Sequence, residues 1–130
     1  MDIVSILQAR RFSRDRPSRV SVFDRPRLVC ELICLEPGQQ ESRRRHPASD
    51  EMYLVIEGKA RLQVGTQTSD VEADEAVLVP PGVEHSISNP GPGRLAVLVV
   101  LAPKPARASE VPIPAADLRP LPARRPAWPR

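Results

Sequence analysis

Histidine is scarce in this chain. Among 130 residues only His46 and His85 carry imidazole, so any chemistry that needs that side chain must use those two. Cysteine is equally scarce: Cys30 and Cys34 share one short apolar run. On a strand they would lie on one face roughly 13 Å apart, too far for a disulfide without backbone movement. With no Cys-x-x-Cys pair to support a soft-metal site, both read as buried small hydrophobes. No apolar run approaches the ~18 residues of a membrane-crossing helix. Met1-Asp-Ile-Val-Ser-Ile-Leu7 lacks the basic start of a signal peptide, which makes a reducing cytoplasm the expected location. Helical periodicity is missing from the middle of the chain, and so is any internal repeat.

Glycine is also sparse, six against sixteen prolines, and eight of those prolines lie beyond residue 102. That shift in composition marks a boundary. Charge marks another. Residues 1–27 hold seven arginines and three aspartates, residues 28–102 six basic and eleven acidic side chains, and residues 103–130 six basic and two acidic. The division predicts an N-terminal arm over 1–27 with a possible edge strand at Val20–Phe23, a folded domain over 28–102, and a proline-rich tail over 103–130. The basic balance belongs to the ends and the central domain is acidic, which argues against nucleic acid as the partner. The basic ends are expected to be solvated, or to lie across the acidic domain of their own or a neighbouring chain. The tail favours extended polyproline geometry, and Val111-Pro-Ile-Pro114 and Trp128 could dock on a neighbour.

Strand signals fill the central domain. Leu28–Leu35 is bounded by turns and rich in β-formers; Met52–Glu57, Ala60–Val64, Ser69–Glu72, Ala76–Val79, His85–Ser88 and Leu95–Leu101 follow at short intervals. Turn residues punctuate them at Pro37-Gly38, Gly58-Lys59, Gly65, Asp74-Glu75, Pro80-Pro81-Gly82 and Asn89–Gly93. Short strands at such spacing predict an all-β sandwich or barrel. Residues 3–9 form an extended or one-turn helical lead-in.

The chemistry-bearing residues fall at the ends of these strands. Two imidazoles and a carboxylate make the facial set of a divalent transition metal. Glu51 follows His46 after a turn at Pro47–Ser49 and can face back toward it, while His85 returns on a later strand. Gly38 is followed by five residues, Arg44, Arg45, His46, four residues, Glu51, six residues and Gly58. Asp74 is followed by five residues, Pro80, Pro81, Gly82, two residues, His85, three residues and Asn89.

These two frames resemble the paired motifs of the cupin superfamily, with two departures: Arg44 stands where the first motif has a histidine, and Asp74 where the second opens with glycine. The resemblance covers about residues 28–102. It implies a jelly-roll β-barrel, usually a homodimer, with a pocket at one end. It also implies His46, Glu51 and His85 as ligands of iron, manganese, zinc, nickel or copper. Arg44 cannot ligate, because its guanidinium stays protonated and offers no lone pair. Two unit charges ~4 Å apart repel by about 4 kcal/mol at an effective dielectric of ~20, so Arg44 must point away from a bound metal. It would then meet the anionic end of a small-molecule ligand, with Tyr53, on the inward face beside Glu51, either packing there or serving as a second contact.

Several functions remain open. One is a metal-dependent enzyme such as an oxygenase, isomerase or lyase, or a metal-dependent binder. A second is a non-catalytic sensor or storage domain whose pocket Arg44 closes by pairing with Glu51. A third uses the tail as a polyproline ligand and the barrel as scaffold.

Overall fold

The computed structural model describes residues 1–106, so most of the proline-rich tail, with Val111–Pro114 and Trp128, lies outside the described residues. One short helix, α1 (Ile6–Ala9), precedes eight strands: β1 (Ser18–Arg25), β2 (Leu28–Leu35), β3 (Asp50–Glu57), β4 (Lys59–Val64), β5 (Gln67–Glu72), β6 (Ala76–Val79), β7 (His85–Ser88) and β8 (Leu95–Ala102). They build two antiparallel sheets, one of five strands in the order β1-β2-β8-β3-β6 and one of three in the order β5-β4-β7. Gln40 and Arg44 form isolated bridges to Ser88 and His85, so the charged stretch before His46 runs as a ragged extra strand beside β7. The architecture is the expected jelly roll. No helix among the described residues is long and apolar enough to cross a membrane.

Side-chain alternation explains the layers. In β3, Glu51, Tyr53 and Val55 are buried while Met52, Leu54 and Ile56 on the opposite face are half-buried. Of the inward residues, Tyr53 and Val55 join Ile33, Leu35, Leu62, Ile87, Val97 and Val99 in one core between the sheets. Each such side chain, fully buried, stabilises the fold by about 1.5–3 kcal/mol. Because a one-residue slip would turn the whole inward set toward solvent, this core also fixes the register that places the site.

β2 is buried on both faces. Its outward Leu32 and Cys34, with Ala96, are covered by Ile6, Ala9 and Phe12 of the N-terminal arm. Arg10 fastens the arm by donating to both oxygens of Glu57 at 2.8 and 2.9 Å. The expectation that the basic arm lies across its own acidic domain thus has a structural form. The strand expected at Val20–Phe23 extends over Ser18–Arg25 and pairs with β2 through a bulge, so the sheet reaches back into the arm segment. Cys30 and Cys34 are free and buried, and burial pushes both thiols above their ordinary pKa.

Two turns explain motif positions. Gly58 has φ 86°, and a Cβ there would collide with the Arg94 carbonyl oxygen, so only glycine lets the β3–β4 hairpin pass. Asp74, in place of a motif glycine, holds φ 70° and donates its N–H to the Val55 carbonyl at 2.9 Å. Aspartate is among the few side chains that tolerate this left-handed geometry.

Candidate metal centre

Three backbone links bring the two motifs together. The Gly82 N–H donates to the His46 carbonyl at 2.8 Å, the Arg44 N–H to the His85 carbonyl at 2.9 Å, and the His85 N–H to the Arg44 carbonyl at 3.0 Å. β3 contributes Glu51 and β7 contributes His85, while His46 comes from the loop ahead of β3. Donor atoms of the three residues all lie within 4.8 Å of one another, and all three residues are buried. The convergence expected from the sequence is present.

The geometry suits a shared cation. Glu51 Oε2 lies 2.8 Å from His85 Nε2 and 3.3 Å from His46 Nε2. Donors bound to one ion at ~2.0–2.2 Å are roughly 3 Å apart at right angles. His85 Nδ1 lies 3.0 Å from the Val83 carbonyl. A carbonyl only accepts, so Nδ1 carries a proton and a neutral His85 keeps its lone pair on Nε2. That nitrogen and Glu51 Oε2 have no aligned hydrogen-bond partner despite their proximity. Two lone pairs facing each other this closely need a positive charge, either a proton or a metal ion.

The titration behaviour agrees. Burial alone would push the Glu51 carboxyl up, but His85, the Tyr53 hydroxyl and His46 outweigh it and hold it below its usual range. Burial would push His85 down, whereas Glu51 and the Val83 carbonyl hold it above its ordinary value. Without a metal, a proton between the two is therefore favoured; binding a divalent ion would displace it. The donor set fits a transition metal by both chemistry and spacing.

Comparison with known proteins supplies the family. The cupin-domain model matches residues 31–101. The chain is a cupin. It is 39% identical over 72 residues to an uncharacterised Streptomyces coelicolor protein, covering 55% of this chain and 67% of that one. It is 37% identical over 76 residues to the tetracenomycin polyketide synthase protein TcmJ of Streptomyces glaucescens, covering 56% of this chain and 51% of that one. A mannose-1-phosphate guanylyltransferase of Escherichia coli O157:H7 is 32% identical over 71 residues, 55% of this chain but only 15% of the larger protein. Among solved structures, a Thermus thermophilus protein superposes with TM-score 0.78 at 28% identity, covering 81% of this chain and all of that one. A Klebsiella pneumoniae protein with a double-stranded β-helix domain gives 0.75 at 27%, covering 79% and 90%.

Within this cupin, the remaining predicted residues occupy distinct places. Tyr53 is fully buried, and its hydroxyl faces the Glu51 carboxylate as a hydrogen-bond donor. Burial and that carboxylate push the phenol well above its usual pKa, so it stays protonated. Arg44 is half-buried and lines a narrow crevice with Tyr53 and His85. The groups that shift Glu51 most are His85, Tyr53 and His46. Asn89 ties the turn after β7 to the end of β2: its Nδ2 donates to the Leu35 and Gly93 carbonyls, both at 2.9 Å, and its Oδ1 accepts from Gly91.

One group escaped the sequence reading. Arg19, placed in a basic arm, sits opposite Ile33 in the β1–β2 ladder and so shares its inward face. Its guanidinium donates to both oxygens of Glu41 at 3.0 and 2.8 Å and to Glu31 at 3.1 Å. Burial would lower its pKa, but Glu41 and Glu31 outweigh burial and raise it. The available signal was Glu31, a carboxylate interrupting an apolar strand, which calls for a cation on the facing side.

Proposed function

We propose that this cupin binds one divalent transition metal through His46, Glu51 and His85 and holds a small molecule, through an oxygen group, beside it. The observation that carries this reading is the 2.8 Å approach of His85 Nε2 to Glu51 Oε2 without hydrogen-bond alignment, while Nδ1 is committed to Val83. A bound metal with three protein ligands supplies Lewis acidity or an oxygen-activating centre with open positions. Iron, manganese, zinc, nickel and copper all suit this donor set, and oxygenase, isomerase or lyase chemistry would follow from it.

The chain's own residues have separate tasks. Tyr53 orients Glu51, the Val83 carbonyl fixes the His85 tautomer, and the surrounding core limits water. Arg44, lining the crevice beside His85, would draw the anionic end of the ligand toward the centre by its charge. Two relatives are named as polyketide synthase proteins, which suits a small organic ligand. We place the protein in the cytoplasm as a homodimer, a state suited by its two free thiols and by the exposed Ile3 and Leu7 of the arm.

A second reading is a non-catalytic binding or sensor cupin in which Arg44 closes the site. It draws on the crevice beside Arg44, which leaves no space for a water-sized molecule. Metal analysis of purified, untagged protein reconstituted with each of the five metals separates the two. One equivalent bound, lost on His85→Ala, is the expected result. Substoichiometric metal under all five conditions would remove the first reading.

A further inference from the structure

A roomy cavity lies away from the crevice at Arg44. It has a volume of about 450 Å³, within the ~300–1,000 Å³ typical of small-molecule sites. β5 ends the smaller sheet and β6 ends the larger one, and the cavity occupies the seam between those two edges. Leu62, Val64, Val71, Val77 and Pro80 form its apolar wall. Leu78 stands at the β6 edge with 51% exposure.

Strand register relates the cavity to the candidate metal centre. Val77 on β6 is the direct partner of Tyr53 on β3, and Val64 on β4 is the direct partner of His85 on β7. Directly opposed residues share a face, with Cβ atoms ~4.5–5.5 Å apart. The cavity wall therefore adjoins His85 directly on the smaller sheet and approaches Glu51 through Tyr53 on the larger one. Its charge character is opposite to that of the crevice. Glu75 is the one charged side chain on its wall among the described residues, and no cation lines it there. An anionic group is disfavoured inside it, whereas an uncharged apolar body matches the wall.

We propose that this seam cavity seats the apolar body of the ligand whose oxygen-bearing end meets His46, Glu51 and His85. The ligand class is then an amphipathic small molecule: an aromatic or alicyclic body carrying one carboxylate or enolic oxygen. The molecule enters between β5 and β6, not past Arg44. This assignment rests on the metal-binding reading above, and the test keeps the two apart.

Naphthalene and 2-naphthoate serve as probes, titrated into the full chain with and without bound metal. Naphthalene should saturate one site whether metal is present or not. 2-Naphthoate should bind about tenfold more tightly when metal is loaded, and naphthalene should gain nothing. Gln67→Trp, at an exposed position on the cavity rim, and Ser69→Phe, on the wall opposite Leu62, should each weaken both probes by about tenfold or more while leaving metal uptake unchanged. Folding of each variant is checked by its thermal midpoint.

Absence of saturable naphthalene binding in a metal-competent protein would overturn the proposal, as a seam filled by another part of the chain or by a second copy would also show. Undiminished probe binding in both variants would overturn it too. Naphthalene and metal both binding, with no metal-dependent gain for 2-naphthoate, would break the link between cavity and centre. Naphthalene binding in a protein that takes up none of the five metals would refute the metal reading and leave an apolar binding site alone.

Discussion

Two interior spaces lie one strand apart in this barrel and differ in almost every physical respect. The crevice around Arg19, Glu41, Arg44, Tyr53 and His85 is crowded with charge and leaves no room for a water molecule. The seam between β5 and β6 is apolar and roomy. The difference follows from where each sits in the sheets. The candidate metal ligands Glu51 and His85 project from strands paired to neighbours, so register holds them close and their charges must be compensated there. The seam lies at two sheet edges, where nothing pairs and space is left. Glu51 is thus held inside the larger sheet and His85, on the end strand β7, by β4 on one side and the bridge to Arg44 on the other, whereas the seam has no such pairing.

The contrast predicts that each space can be damaged without the other. His85→Ala should have the largest effect. Losing one of three ligands should cost metal affinity more than the ~10–100-fold lost with an outer partner, read by competition with a chelating dye. Naphthalene affinity should change by less than about twofold, because the cavity wall beside it is Val64. An equal loss for both would show one undivided site. Arg44→His should act in the opposite direction. It removes a fixed positive charge and restores the fourth donor of the cupin pattern, so a metal-affinity gain of about a hundredfold is expected. That gain should vanish in the Arg44→His, His85→Ala double variant. No gain would mean that Arg44 already stands clear of the centre.

Much of one space was legible in the sequence and little of the other. The spacing of His46, Glu51 and His85 carried the centre because strand alternation and turn length convert sequence separation into direction. Asp74 could be read as a glycine substitute because few side chains accept positive φ. Arg19 was hidden by its neighbours: within a run of arginines, one that turns inward looks like those that do not. Only Glu31, an acid inside an apolar strand, hinted at it. The cavity had no linear signature. Leu62, Val71 and Val77 fall in strands expected from the sequence, but the gap before them depends on how far two sheet edges part.

Acidity should separate the two spaces further. His85 is held above its ordinary value of 6.5 by Glu51 and Val83, after burial has worked against it. Metal must displace that proton. Affinity should therefore be level above the raised pKa and fall by about tenfold per pH unit below it, with the fall beginning above pH 6.5. Glu51 is held below its usual range and stays charged across this window. Naphthalene carries no charge and its cavity has no imidazole among the described lining residues, so its binding should be flat over the same range. A parallel decline in both titrations would point to loss of the fold rather than of the site.

The smallest expected effect tests the boundary itself. Tyr53 donates to Glu51 on one side and adjoins Val77 of the cavity wall on the other. Tyr53→Phe removes the hydroxyl and keeps the ring, so the packing against Val77 survives. Glu51 loses one of the groups holding its charge, while His46 and His85 still flank it. Metal affinity should fall by about tenfold, the lower end for loss of an outer-sphere hydrogen bond. Naphthalene binding should hold or strengthen slightly, since a polar atom has left the neighbourhood of an apolar ligand. If metal affinity stays unchanged and naphthalene weakens, the Tyr53 hydroxyl belongs to the cavity instead, and the division between coordination and accommodation runs through a different residue.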